Sequence, residues 1–176
     1  MKQSWFVSMC MLALPALAQQ QPYAGQQQRE LKALSPEEVQ QYLSGAGLGY
    51  ARPAELNSFP GPMHVLELAD KLVLSAAQRA QTKALMEEHK AEARAIGAKR
   101  VEAERALDAL FASGKAEQQA LRDAVQAAAA LEGEYRLSHL ETHRRMRALL
   151  TEEQVIRYNQ LRGYAAGGGH RHGKGH

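Results

Sequence analysis

Residues 75–162 read SAAQRAQTKALMEEHKAEARAIGAKRVEAERALDALFASGKAEQQALRDAVQAAAALEGEYRLSHLETHRRMRALLTEEQVIRYNQLR. No proline falls in this stretch. From residue 63 to residue 162 the only glycines are Gly97, Gly114 and Gly133. The rest is dominated by Ala, Leu, Glu, Gln and Arg, which lose little freedom in a helix. The pattern predicts four helical pieces: Met63 to about Val73, Ser75 to about Phe111, about Lys115 to Leu149, and Thr151 to just before Gly163. Two starts carry a capping box, in which a hydroxyl and a glutamine three residues on satisfy free backbone N–H groups. These are Ser75 with Gln78 and Thr151 with Gln154.

Both long pieces repeat apolar residues at three-four spacing. Leu85, His89, Ala93, Ile96, Ala103, Leu107 and Leu110 share one broad face. Leu121, Val125, Ala128, Tyr135, His139, Thr142, Met146 and Leu149 share another. Ala112-Ser113-Gly114 is a short turn between them, so the fold class is all-α, a long antiparallel helical hairpin with short flanking helices. The second piece is about 55 Å long at the helical rise. Such a hairpin leaves an apolar face open, which predicts a homodimer.

Outward from the hairpin the composition changes at Pro62, the last proline. Residues 19–62 are Gln-rich, then Gly- and Pro-rich. They contain one short helix opened by Ser35-Pro36-Glu37-Glu38 and broken by Gly45, Gly47 and Gly49. Leu48, Tyr50, Leu56 and Phe59 are expected to pack over a helix. Residues 1–18, MKQSWFVSMCMLALPALA, have the layout of a secretory signal peptide: one early Lys, an apolar run, and a small-x-small end. An uncleaved anchor and a lipoprotein are the alternatives. The run is short for a span, and Met9 stands before Cys10 where lipidation needs a small residue. Cleavage after Ala18 leaves 158 residues with no Cys and lowers the formal net charge from +3 to +2. The expected compartment is a bacterial periplasm, with no membrane span after cleavage.

These numbers exclude several classes. The chain of 176 residues is too short for two large catalytic domains. One Cys excludes a disulfide scaffold and a four-cysteine zinc site. The small net charge argues against a nucleic-acid partner. There is no phosphate loop, and Ser138 and His139, as helix neighbours, point apart, so no enzyme is expected.

The histidines carry the remaining chemistry. His139 and His143 stand one above the other on a helix face, and Met146 follows three residues on. HxxxH is a usable two-ligand unit, and a thioether biases a site toward softer ions. If the turn centres on Ser113 and Gly114, facing residues have numbers summing to about 227. His89 then lies level with residue 138, with Glu88 and Glu92 beside it. His64 approaches from the side or from a dimer mate. The competing reading is ordinary hydrogen-bonded structural histidines, or a proton-sensitive interface. The tail, residues 165–176, is Gly/His-rich and adds His170, His172 and His176 as a flexible metal-collecting segment or simple low complexity. The cofactor implied is a divalent transition metal (Zn, Cu, Ni or Co), not required for folding. Arg136, Arg144, Arg145 and Arg147 form a basic flank, either solvated or a surface for acidic or partly unfolded clients.

Leu150-Thr151-Glu152-Glu153-Gln154 resembles the LTxxQ motif of the Spy/CpxP family of periplasmic proteins, and Leu74-Ser75-Ala76-Ala77-Gln78 is similar to a degenerate first copy. The resemblance covers about residues 63–164. It implies a cradle-shaped homodimer. It also implies one of two functions: a periplasmic heavy-metal sensor or resistance accessory protein, or a metal-independent holding chaperone for unfolded envelope proteins. An envelope signalling protein is the further partner implied. Residues 19–62 depart from the family pattern and are expected to cover the cradle.

Overall fold

The structure is a computed structural model and describes residues 21–164. The signal-peptide reading of residues 1–18 and the tail histidines His170, His172 and His176 lie outside the described residues.

Six α-helices are found among them: α1 (Pro36–Ser44), α2 (Arg52–Glu55), α3 (Pro62–Glu67), α4 (Ala76–Ala112), α5 (Gln118–Leu149) and α6 (Glu152–Arg162). α4 and α5 pack along one another as the expected hairpin. α5 starts three residues later than the pattern predicts. Lys115 N–H returns to the Leu110 carbonyl at 3.0 Å, so residues 115–117 belong to the turn. α3 ends early at Glu67, and the chain reaches Leu74 through turns that place Val73 at φ 52°.

All three capping boxes form, at Ser35/Glu38, Ser75/Gln78 and Thr151/Gln154. The two glutamines of the LTxxQ-like motifs do more than cap. Gln78 Nε2 donates to Gln154 Oε1 at 2.8 Å and to the Leu149 carbonyl at 2.9 Å. Gln154 Nε2 donates to Gln78 Oε1 at 3.1 Å and to the Leu72 carbonyl at 3.3 Å. The α3–α4 and α5–α6 junctions are thus locked side by side by one amide pair. Around it lies the first core cluster: Val65, Ala69, Leu72, Leu74, Leu85, Met146, Leu150, Val155 and Tyr158.

A second cluster joins the N-terminal segment to the middle of the hairpin. Leu31, Leu34 and Tyr42 are buried with Ala93, Val101 and Tyr135, and Leu48 and Tyr50 pack against them. The expected cover over the hairpin is therefore present. Leu56 stays 58% exposed and Phe59 38% exposed, so these two do not join it as expected. Tyr42, Tyr50 and Tyr135 meet edge to face, with centroids 5.0 and 5.9 Å from Tyr135. Arg100, buried, pairs with Glu104 and lies 5.8 Å from the Tyr42 ring, with Glu132 at 3.6 Å. Glu132 also accepts the Tyr50 hydroxyl at 3.1 Å.

The far half of the hairpin has less cover. Phe111 and Val125 are exposed, although periodicity alone places Val125 on the buried face. No helix among the described residues is long and apolar enough to cross a membrane.

Candidate metal centre

A cavity of about 620 Å³ opens where the N-terminal segment, α3 and the hairpin meet. Four histidines line it, His64, His89, His139 and His143, together with Glu55, Met63, Met86 and Lys90. The expected register holds here: the His89 and His139 rings face each other across the hairpin at 4.5 Å, edge to face. His139 continues the tyrosine ladder, 4.7 Å from Tyr135.

The hydrogen bonds set the ring tautomers. His139 Nδ1 lies 2.9 Å from the Tyr135 carbonyl, one helical turn back. His143 Nδ1 lies 2.7 Å from the Phe59 carbonyl. His64 Nδ1 lies 2.8 Å from Glu67 Oε2. A carbonyl or carboxylate oxygen only accepts, so each Nδ1 carries the proton. In the neutral ring each Nε2 then keeps its lone pair. Metal-binding histidines are oriented in this way, by an oxygen acceptor on the far nitrogen. His139 Nε2 and His89 Nδ1 are buried and have no hydrogen-bond partner among the described residues. Two nitrogens left unpaired at a cavity fit an imidazole-binding ion.

The loop before α3 builds one wall. Ser58 adopts φ 68° and is held by Asn159 Nδ2 at 2.8 Å, which sets the next carbonyl, Phe59, on His143. Gly61 leaves room for that ring, since a Cβ there would stand 2.8 Å from its Cε1. Glu55 accepts from Gly61 N–H at 3.2 Å and from the Tyr158 hydroxyl, with Arg162 at 3.7 Å. Its Oε2 is 3.6 Å from His143 Nδ1. Glu55 thus clamps the loop against α6 and the His143 ring.

Other expected ligands stand elsewhere. Met146 is fully buried in the first core cluster and does not line the cavity. One position every 100° carries it past His143 toward α3 and α6. Glu88 is exposed and holds Arg145 through two bonds of 2.8 Å, and Glu92 is exposed on α4. The carboxylate that does line the cavity is Glu55, and the thioethers are Met63 and Met86. A four-residue helix between glycine-rich turns has no periodicity from which Glu55 could be placed. Among the described residues no three His, Cys, Asp or Glu side chains converge to hold a metal ion. The expected set of His89, His139, His143 and a neighbouring glutamate is therefore brought to one cavity only in its histidines.

The basic flank is largely paired within the chain. Arg144 binds Glu141 at 2.7 and 2.5 Å, Arg145 binds Glu88, and Arg147 binds Glu152. Arg136 is exposed.

Burial holds His89 down to about 4, with the nearby His139 and His143 adding to the shift, and burial lowers His139 against the opposing pull of the Tyr135 carbonyl. The unfolded chain therefore binds more protons than the folded one between about pH 6.5 and 4. Stability is fully present above the ordinary histidine range and is lost as pH falls through that window. Solvent reaching the ring from the cavity screens part of the effect, leaving about 1–2 kcal/mol. Urea midpoints of the metal-free protein should fall between pH 7 and 4.5, and His89→Gln should flatten that slope. An unchanged slope in the variant would reject a neutral buried His89.

The fold is an all-helical hairpin with a histidine-lined cavity beside it. The chain belongs to the heavy-metal resistance family, whose model matches residues 42–157. That span runs from the end of α1 through both long helices into α6, and the family is non-catalytic. No curated protein and no solved structure matches the chain.

Proposed function

We propose that this protein is a periplasmic heavy-metal-binding protein of the Spy/CpxP type, a sensor or resistance accessory, that takes a divalent transition metal on the cavity histidines. One observation carries the reading. His64, His139 and His143 each have Nδ1 engaged by an oxygen acceptor while lining the same cavity. Three imidazoles are thereby oriented through the nitrogen a metal does not need. Family membership and the signal-like residues 1–18 support the setting. Imidazole suits Zn, Cu, Ni and Co alike, and Met63 or Met86 would favour the softer of them. A homodimer using exposed apolar residues of the hairpin, such as Phe111 and Leu137, belongs to the same proposal, as does an envelope signalling protein as partner. The chaperone alternative draws less support, because Leu31, Leu34 and Tyr42 of the chain already pack against Ala93, Val101 and Tyr135.

Titration of the full chain with Zn²⁺, Cu²⁺, Ni²⁺ and Co²⁺ tests the reading. His89→Gln combined with His139→Gln should weaken the tight site at least tenfold while leaving the helical circular dichroism intact. Equal affinity in that variant would remove the cavity as the site.

A further inference from the structure

The cavity is larger than a bare metal ion needs, and its charge is of the wrong sign for one. Its volume is about 620 Å³, whereas about 10–15 Å³ already holds one water. His139 is buried, and its Nε2 has no hydrogen-bond partner among the described residues. The turn at residues 45–49 lies over this ring, since a Cβ at Gly47 would stand 3.8 Å from His139 Cδ2. The same turn carries a cation: a Cβ at Gly49 would stand 3.4 Å from Arg52 Nη2. Two residues of chain span at most about 7 Å, so the guanidinium and the unpaired imidazole lie along one short wall. Lys90, next to His89 on α4, adds a second cation to the lining. Neither Arg52 nor Lys90 forms a salt bridge among the described residues. The carboxylate of the lining, Glu55, is engaged by Gly61 N–H, the Tyr158 hydroxyl and Arg162.

We propose that the cavity takes its metal as an anionic chelate, a divalent transition ion carrying a small polycarboxylate, with the imidazoles of His89 and His139 on the ion and Arg52 and Lys90 on the carboxylates. The inference rests on the metal-binding reading above and names the form in which the ion is taken. Two unpartnered cations repel a bare dication and attract a complex of net negative charge. Arg and Lys are also the side chains that hold carboxylates by charge-assisted hydrogen bonds. A borderline divalent ion takes about four N, O or S ligands. His89 Nδ1 and His139 Nε2 can supply two by displacing water from the chelate, and the polycarboxylate brings the others. Leu56, Pro62, Met63 and Met86 line the same space and suit the carbon skeleton of such a ligand. The volume left over by a bare ion is thereby filled.

Equilibrium dialysis of the full-length protein with Zn²⁺ and radiolabelled citrate, each alone and both together, separates the cases. Citrate should be retained with zinc, one to one, and only when both are present. At fixed total zinc, bound zinc should persist as rising citrate lowers the free Zn²⁺. Arg52→Gln/Lys90→Gln, both at exposed positions, should keep the helical circular dichroism and bind zinc citrate about tenfold more weakly. Zinc retained without citrate, and falling in step with free Zn²⁺, would overturn the inference while the metal-binding reading stands. Citrate held equally well without zinc would overturn it in favour of a plain carboxylate site. Equal retention of zinc citrate by the Arg52→Gln/Lys90→Gln variant would overturn it as well. Undiminished retention by His89→Gln/His139→Gln, or no zinc retained with or without citrate, would defeat the cavity reading itself.

Discussion

Gly97→Ala should destabilise the protein by about 2–3 kcal/mol and release the N-terminal segment from the hairpin. A Cβ at this position would stand 2.1 Å from the Tyr42 carbonyl oxygen, 2.7 Å from its carbonyl carbon and 3.2 Å from Tyr135 Cε2. Two of these are backbone atoms at the end of α1, so no side-chain rotation relieves the clash. On an exposed helix the same change would stabilise by about 1 kcal/mol, since Ala outranks Gly as a helix former. The sign of the result therefore reports whether α1 lies directly on α4. Chemical unfolding gives the stability. Hydrogen exchange at residues 36–44 shows whether α1 detaches while α4 and α5 stay protected. A variant as stable as the natural chain, with α1 still protected, would contradict this packing.

The second large effect separates core from ligand at Met146. Its side chain is fully buried against Val65, Leu72, Leu85, Val155 and Tyr158 in the first cluster. Met146→Ala should cost about 2–5 kcal/mol through lost burial and a residual cavity. Met146→Leu, nearly equal in volume, should cost less than about 1.5 kcal/mol and leave metal affinity unchanged. A thioether ligand behaves in the opposite way: Leu would keep the fold and lose affinity. Zinc and copper titrations of Met146→Leu beside its unfolding curve therefore decide the role of this residue. HxxxHxxM reads as one ligand set on a helix drawn alone, and only the packing of α3 and α6 beside α5 gives its last member to the core.

Much of the hairpin was legible because its information is local. Ser75 with Gln78 and Thr151 with Gln154 mark helix starts within four residues each, and both boxes form. Ser113 and Gly114 set the turn, and the register that follows brings His89 onto His139. The pairing of Gln78 with Gln154 was not legible, since nothing near either residue indicates that the two caps share one amide pair. Val125 shows the converse limit. It has the right spacing for the buried face and remains 48% exposed.

The sequence by itself determined the helices, their caps, the turn and the facing of the two central histidines, because capping and 3.6-residue periodicity act over a few neighbours. The tertiary structure decided which polar groups share the cavity. Glu55, Phe59 and Gly61 reach His143 from more than eighty residues away, and irregular backbone carries no periodic signal to foretell it. It also decided the chemistry of the ring nitrogens. A tautomer depends on which oxygen lies against Nδ1, and for His143 that oxygen belongs to a loop placed only by folding.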